Sequence, residues 1–153
     1  MRTRHVSVLF FLVFAGCTLR GSTERLLVED RQITDLTTHS QNQDTAFGLI
    51  KQWAMRNYNF PQEVIALADP EAGLLVFKEF GVIKRGDGEQ IAIGYTLTMQ
   101  VVDRQVRFIY TIGDPNVPDI TTTDDGRQME EYFEYLKIRI LKAIEEDELL
   151  QPE

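Results

Sequence analysis

Side chains of the types most used in catalysis are sparse in this sequence. It contains two histidines and one cysteine. His5 precedes an apolar amino-terminal run, and His39 stands in the polar stretch 39–43, where we expect it to be a solvated loop residue. No Gly-x-Ser-x-Gly motif is present to place a serine nucleophile. We therefore expect neither a zinc site nor a serine–histidine pair, and we predict no catalytic residue, metal or cofactor.

Carboxylates are plentiful, and two groups of them have a spacing that could do chemistry. The first group lies in one segment and consists of Asp114, Asn116, Asp119, Asp124 and Asp125. Such oxygens could hold calcium in a calcium-stabilised structural module, although their spacing is not that of a calcium-binding helix-loop-helix. Loop turns and helix caps explain the same residues. The sequence leaves both interpretations open.

The second group is the corner at residues 103–107, where Asp103 lies close to Arg104 and Arg107. A carboxylate whose pKa is raised in a pocket could act there as an acid or base. This corner is the basis of the enzymatic alternative, a small carboxylate-dependent hydrolase or ligand-processing enzyme. Turn chemistry explains the same residues without catalysis.

The elements that must position these groups are dominated by four consecutive strands between residues 64 and 112. Gln90–Val102 gives the clearest pattern, because apolar and small or polar residues alternate along its whole length. Its apolar positions are Ile91, Ile93, Tyr95, Leu97, Met99 and Val101. This period of two is typical of an antiparallel strand that is buried on one side.

The full order of predicted elements is strand, helix, four strands, helix. The predicted bounds are 26–37, 46–57, 63–69, 74–84, 90–102, 106–112 and 125–147. Both helices have an apolar stripe, so both can cover the same face of the sheet. The sequence therefore predicts an α+β fold of two layers, with an antiparallel sheet of about five strands and two helices on one face.

The side of the sheet away from the helices is the predicted binding surface. Strand alternation places small, uncharged or β-branched residues there: Ala92, Gly94, Thr96, Thr98, Gln100, Arg107, Ile109 and Thr111. We name Thr96, Thr98, Gln100, Arg107 and Thr111 as candidate binding residues. A solvated sheet face is the ordinary alternative, because threonine on an exposed strand needs no partner.

The amino terminus predicts where in the cell the protein is located. A basic leader precedes the apolar run 6–15, which is too short to span a bilayer as a helix and is typical of a secretory signal. The sequence Phe14-Ala15-Gly16-Cys17 resembles the lipobox of bacterial lipoproteins. The resemblance implies that Cys17 becomes the first mature residue and carries lipid. Two or more acyl chains would anchor the protein stably.

The motif at Cys17 allows one alternative role for the thiol, and the residue after it indicates which membrane the protein occupies. The alternative is a buried or leftover thiol behind an ordinary cleaved signal. Thr18 rather than Asp follows Cys17, which by the same resemblance favours the outer membrane. We expect a protein of the cell envelope, anchored in a membrane and facing the periplasm or the cell surface.

Composition limits the number of domains and the partners. The 153 residues suffice for one domain, and we predict a signal peptide at 1–16, a lipidated cysteine and tether at 17–25, a single domain at 26–148 and a tail at 149–153. The formal net charge is −8, and removal of Arg2 and Arg4 with the leader makes it −10. Such a surface repels phosphate backbones, so no nucleic-acid partner is expected.

Several local sequences resemble a bacterial envelope family of unknown function with a TATA-binding-protein-like (TBP-like) fold. They are the helix bearing Trp53, the turn at 69–73, the strand at 95–101, and Asp103 with the strand at 107–110. Arg104 stands where that family often has glycine. The resemblance implies the fold and no activity, although the namesake of the fold grips DNA with the corresponding surface. We expect a non-catalytic, lipid-anchored envelope protein that binds a protein or another envelope component through the open sheet face.

Overall fold

The computed structural model describes residues 23–29, 32–86, 88–113 and 124–146. The described residues form six strands: β1 (Thr23–Glu29), β2 (Gln32–Thr38), β3 (Ile65–Asp69), β4 (Leu74–Lys84), β5 (Gln90–Val102) and β6 (Gln105–Ile112). Three helices are α1 (Gln43–Asn57), α2 (Pro61–Val64) and α3 (Asp124–Glu145). The predicted signal at 1–16, Cys17 and the predicted tail at 149–153 lie outside the described residues.

The strands form one antiparallel sheet in the order β1-β2-β6-β5-β4-β3. Strands β3 to β6 follow one another as a meander, so each pairs with its neighbour in sequence. Strand β2 pairs with β6, and the chain passes from β2 through α1 and α2 to β3. The longest pairing joins β4 to β5, and it continues without a bulge from Leu74 opposite Gln100 to Lys84 opposite Gln90.

The predicted α+β class is confirmed, and the first strand requires a correction. The predicted single strand 26–37 is a hairpin of two strands, with β1 ending at Glu29 and β2 beginning at Gln32. The described sheet therefore has six strands rather than about five. Strand β1 also begins at Thr23, three residues before the predicted start of the domain.

Helices α1 and α3 lie on one face of the sheet and cover its apolar side. Helix α1 begins after Asn42, whose side chain accepts a hydrogen bond of 2.9 Å from the backbone N–H of Thr45. Helix α3 approaches β4 closely at Gly81, where an added Cβ atom would lie 2.9 Å from Cε of Met129. No helix in the described ranges is long and apolar enough to cross a membrane.

The core lies between the two layers, and it confirms the predicted alternation. The apolar side of β5 is buried at Ile93, Tyr95, Leu97, Met99 and Val101. Tyr110 of β6 stacks on Phe133 of α3, with ring centroids 4.4 Å apart and planes inclined by 19°. Burial of these large side chains supplies the main driving force that holds helices and sheet together.

Candidate functional site

The open face of the sheet, the side away from α1 and α3, brings all five candidate binding residues together. On the paired strands β5 and β6, Thr96 lies opposite Thr111 and Gln100 lies opposite Arg107. Thr98 stands between these rows, opposite Ile109. Along β5 the candidates span four residues, or about 14 Å. They form one continuous surface at the centre of the sheet.

The accessibility of this surface matches the alternation predicted from the sequence. Gln100, Arg107 and Thr111 are exposed, and Thr96 and Thr98 are half-buried by their neighbours on the same face. The flanking rows extend the surface with Val76 of β4, opposite Thr98, and with Thr34 of β2, opposite Ile109. The described centre of the face is therefore flat, mostly uncharged and accessible to a partner.

One candidate also has a structural role. The side-chain amide of Gln100 donates a hydrogen bond of 2.8 Å to the carbonyl oxygen of Ala72, in the turn between β3 and β4. That turn needs Gly73, which has a φ of 62° and passes so close to β5 that a Cβ atom would lie 2.1 Å from the carbonyl oxygen of Val101. A change at Gln100 would thus disturb the turn as well as the surface.

The corner at residues 103–107 caps the start of helix α1. It is the segment on which the enzymatic alternative is based. Oδ1 of Asp103 accepts a hydrogen bond of 3.0 Å from the backbone N–H of Gln43, the first residue of α1. Arg104 has a φ of 59°, the left-handed conformation in which glycine is preferred. Its N–H donates to the carbonyl oxygen of Gln41 at 3.0 Å. These contacts are those of a structural turn, and they give the hydrolase no geometric support.

The prediction that His39 is a solvated loop residue is wrong. Its side chain is 7% exposed, and its backbone N–H donates to the carbonyl oxygen of Arg104 at 3.0 Å. The alternation of β2 continues past its end, so His39 joins Ile33, Asp35 and Thr37 on the helix side of the sheet. Neither ring nitrogen has a well-formed hydrogen bond to the described part of the chain.

The burial of His39 disfavours its charged form. Burial lowers the pKa of His39, and the nearby backbone of Gln105, the carboxylate of Glu145 and the backbone of Gln41 offset part of this effect. The imidazole is therefore neutral at pH 7. His39 lies at the end of β2, beside the turn between β5 and β6 and near Glu145 in the last turn of α3.

The carboxylates proposed for calcium are described only in part. Asp124 pairs with Arg127, which lowers the pKa of Asp124, and Asp125 accepts a hydrogen bond of 3.0 Å from Arg85. Both residues thus stabilise the first turn of α3 and its contact with the hairpin of β4 and β5. Asp114, Asn116 and Asp119 lie outside the described residues. Within the described ranges, no three His, Cys, Asp or Glu side chains come together as a metal site.

A cluster of tyrosine hydroxyls around Glu79 was not predicted from the sequence. Oε2 of Glu79 accepts a hydrogen bond of 2.8 Å from the hydroxyl of Tyr58 and another from the hydroxyl of Tyr95. The hydroxyl of Tyr132 lies 3.4 Å from that of Tyr95. The alternation of β4 contained the signal, because it places Glu79 on the core side between Phe77 and Gly81.

The ionisation states in this cluster follow from its burial. Burial, together with the neighbouring Glu79, raises the pKa of Tyr58 and of Tyr95. Both hydroxyls stay protonated at neutral pH and donate to the carboxylate. The arrangement joins the end of α1, α3 and the sheet through polar contacts.

The comparisons with known proteins agree with this geometry. The profile of the family described as domain of unknown function (DUF4468) with TBP-like fold matches residues 34–116, slightly more than half of the chain. A search of the curated proteins gives no match. Two of the solved structures that match the chain are described below, and both are too distant in sequence to indicate more than the fold.

The first is a TBP-like protein from Parabacteroides distasonis ATCC 8503, with a TM-score of 0.56 and 13% identity, and the alignment covers 74% of this chain and 91% of that chain. The second is a DUF4468 family protein from Bacteroides ovatus ATCC 8483, with a TM-score of 0.57 and 10% identity, covering 78% and 90%. The predicted TBP-like fold is thereby confirmed. The chain belongs to the DUF4468 family, whose domain has a TBP-like fold and no assigned function.

Proposed function

We propose that this protein is a non-catalytic, lipid-anchored protein of the bacterial cell envelope that binds a protein or another envelope component through its open sheet face. The observation that supports the proposal is the centre of the sheet, which none of the described helices covers on this side. Thr96, Thr98 and Thr111 lie there with Gln100 and Arg107, while both long helices lie on the opposite face. A flat surface of short side chains lets a partner approach the backbone closely.

The anchor is supported by the sequence around Cys17 and fits the position of β1. Five residues separate Cys17 from Thr23, where the first strand begins. The six Cα–Cα steps between them span at most about 22 Å, so a lipid on Cys17 would hold the domain next to the membrane surface. The partner would then be a component at or near that surface, and the net charge of −8 disfavours nucleic acid.

The surface is tested with a double variant, Thr96→Lys with Thr98→Lys. Two long charged side chains at the centre of the open face should block a partner and leave the fold intact, because neither position belongs to the core. The matched control places lysine at the exposed positions Gln52 and Met55 of α1. Capture of the partner should fall for the first pair and not for the second. Equal capture by both would exclude the open face.

The anchor is tested separately with Cys17→Ser. Loss of the lipidated thiol should move the protein from the membrane fraction to the soluble fraction of the cells. Persistence of the variant in the membrane pellet would contradict lipidation at Cys17. Because the two tests use different variants, the anchor and the binding face can fail independently.

A further inference from the structure

Two exposed apolar surfaces of this chain complement each other in charge. The first, which we call the β4 ridge, lies on the open face and consists of Lys78, Phe80, Val82 and Lys84. Phe80 is 69% exposed and Val82 is 59% exposed. Neither lysine forms an ion pair with the described part of the chain. The ridge is thus an apolar strip with a cation at each end, in a chain whose net charge is −8.

The second surface, which we call the α3 groove, lies on the outer side of α3. It is a shallow, open depression between side chains of this one helix, lined by Arg127, Glu130, Glu131, Glu134, Tyr135 and Ile138. Tyr135 is 57% exposed and Ile138 is 60% exposed, so the groove has an apolar part. Arg127 lies 3.5 Å from Glu131, and Lys137 lies 2.7 Å from Glu134. With these two cations and Asp124 included, this side of α3 still has more carboxylates than cations.

The spacings of the two surfaces also match. Lys78 and Phe80 are two residues apart on a strand, or about 7 Å. Glu131 and Tyr135 are four residues apart on a helix, or about 6 Å. A lysine of the ridge can therefore meet a carboxylate of the groove while Phe80 packs against Tyr135 or Ile138. Exposed apolar patches rimmed by charge are typical of protein interaction sites.

The two surfaces lie on opposite sides of the molecule, because the helices cover the face of the sheet opposite to the ridge. One chain cannot bring them into contact with each other. We propose that the β4 ridge of one copy docks in the α3 groove of a second copy, so that the protein associates head to tail. Such an interface uses two different patches and, unless the rotation closes a ring, continues from copy to copy. This proposal is independent of the lipid anchor. The ridge borders the central open face, because Lys78 lies opposite Thr96, so a docked copy and the partner proposed above would compete for that part of the face.

The experiment follows the mass of the purified full chain, kept in a mild detergent, by light scattering over a range of concentrations. The wild type should associate as its concentration rises. Phe80→Asp removes the ridge and Ile138→Asp removes the groove, and each should weaken association about tenfold or more. Met55→Asp is the matched control, because Met55 is 57% exposed on α1 and belongs to neither surface. It should associate as the wild type does.

Mixing the two defective variants gives the decisive outcome. The Ile138→Asp chain keeps a ridge and the Phe80→Asp chain keeps a groove, so an equal mixture should form a complex that stops at two chains. A wild type that stays a single chain at all concentrations, or variants that do not recombine, would overturn the proposal.

A second measurement keeps the test valid should an aspartate variant fail to fold. Two tagged copies of the full chain, one with Val82→Cys and the other with Ile138→Cys, are expressed together and oxidised. A disulfide should form between the two kinds of copy. Equal crosslinking between two Val82→Cys copies would indicate a symmetric contact and overturn head-to-tail docking.

Discussion

Nζ of Lys137 lies 3.0 Å from Oδ2 of Asp35, and the two side chains are only 5% and 2% exposed. The contact joins α3 to β2, and the same ammonium group lies 2.7 Å from Oε1 of Glu134. Lys137→Met would remove this cation from beside the buried carboxylate of Asp35. We expect this change to lower the free energy of unfolding by about 3–5 kcal/mol, measured by urea denaturation.

The matched control for this ion pair is the double variant Lys137→Met with Asp35→Leu. Replacement of both charges by apolar groups removes the unpaired charge, so most of the lost stability should return. A double variant as unstable as Lys137→Met alone would show that the pair itself, and not an unpaired charge, determines the stability of this contact.

The hydroxyl of Tyr95 should contribute more to stability than the hydroxyl of Tyr132. Tyr95 donates directly to the carboxylate of Glu79, whereas Tyr132 lies 3.4 Å from another hydroxyl. Tyr95→Phe should lower the free energy of unfolding by about 1.5–3 kcal/mol, the range for hydrogen bonds to charged groups. Tyr132→Phe should cost less than about 1 kcal/mol in the same denaturation experiment. The reverse order would contradict the assignment of Glu79 as the centre of the cluster.

Burial of His39 predicts a loss of stability in acid. Its pKa is lowered in the folded state, so the unfolded chain binds a proton at a higher pH than the folded chain does. The contribution of the neutral imidazole is complete above the ordinary pKa of about 6.5 and is lost as the pH falls towards the lower folded pKa. The loss is at most about 1.4 kcal/mol for each pH unit.

The variant His39→Gln isolates this contribution, because glutamine does not titrate. Denaturation curves of both proteins between pH 7.5 and about 5 should show a steeper loss of stability for the wild type. Parallel curves would mean that His39 is solvated and titrates normally in the folded protein.

The turn at Arg104 predicts a stabilising substitution. A residue with a side chain at a φ of 59° is less favourable than glycine. Arg104→Gly should raise the free energy of unfolding by up to about 1 kcal/mol. Arg107→Gly, in the regular strand β6, should lower it instead and serves as the control. A destabilised Arg104→Gly would show that the arginine side chain has a structural role of its own.

The sequence predicted most of the sheet, because its local signals agreed. Strands β4 and β5 have the predicted bounds, since alternation runs along both strands, glycines mark the turns before β4 and between the strands, and Asp103 and Arg104 follow β5. The sequence predicts one strand where the structure has the hairpin of β1 and β2. Polar residues between two short apolar runs are compatible with an interrupted strand as well as with a turn. The residues that share the open side of β5 were predicted for the same reason as the strand itself, since one alternation defines both sides of a strand. Their role in binding stays a prediction.

The buried polar contacts could not be predicted in full, because their partners are far apart in sequence. Asp35 and Lys137 are separated by 102 residues, and no local pattern pairs them. Glu79 stood at a core-facing position of β4, which was a usable signal, but its tyrosine partners come from three other elements or segments. The prediction for His39 is wrong because the composition of its segment suggests a loop, while the alternation of β2 continues to His39, two residues beyond the predicted end of the strand.

The most direct test of the proposed function is site-specific photocrosslinking of the lipidated full chain in its own cells. A photoreactive amino acid is placed at Thr98, at the centre of the open face, and in a control at Lys51, an exposed position of α1. The proposal predicts a crosslinked product of one defined mass from Thr98 in the membrane fraction, and none of that mass from Lys51. A defined product from Lys51 with none from Thr98 would contradict binding through the open face.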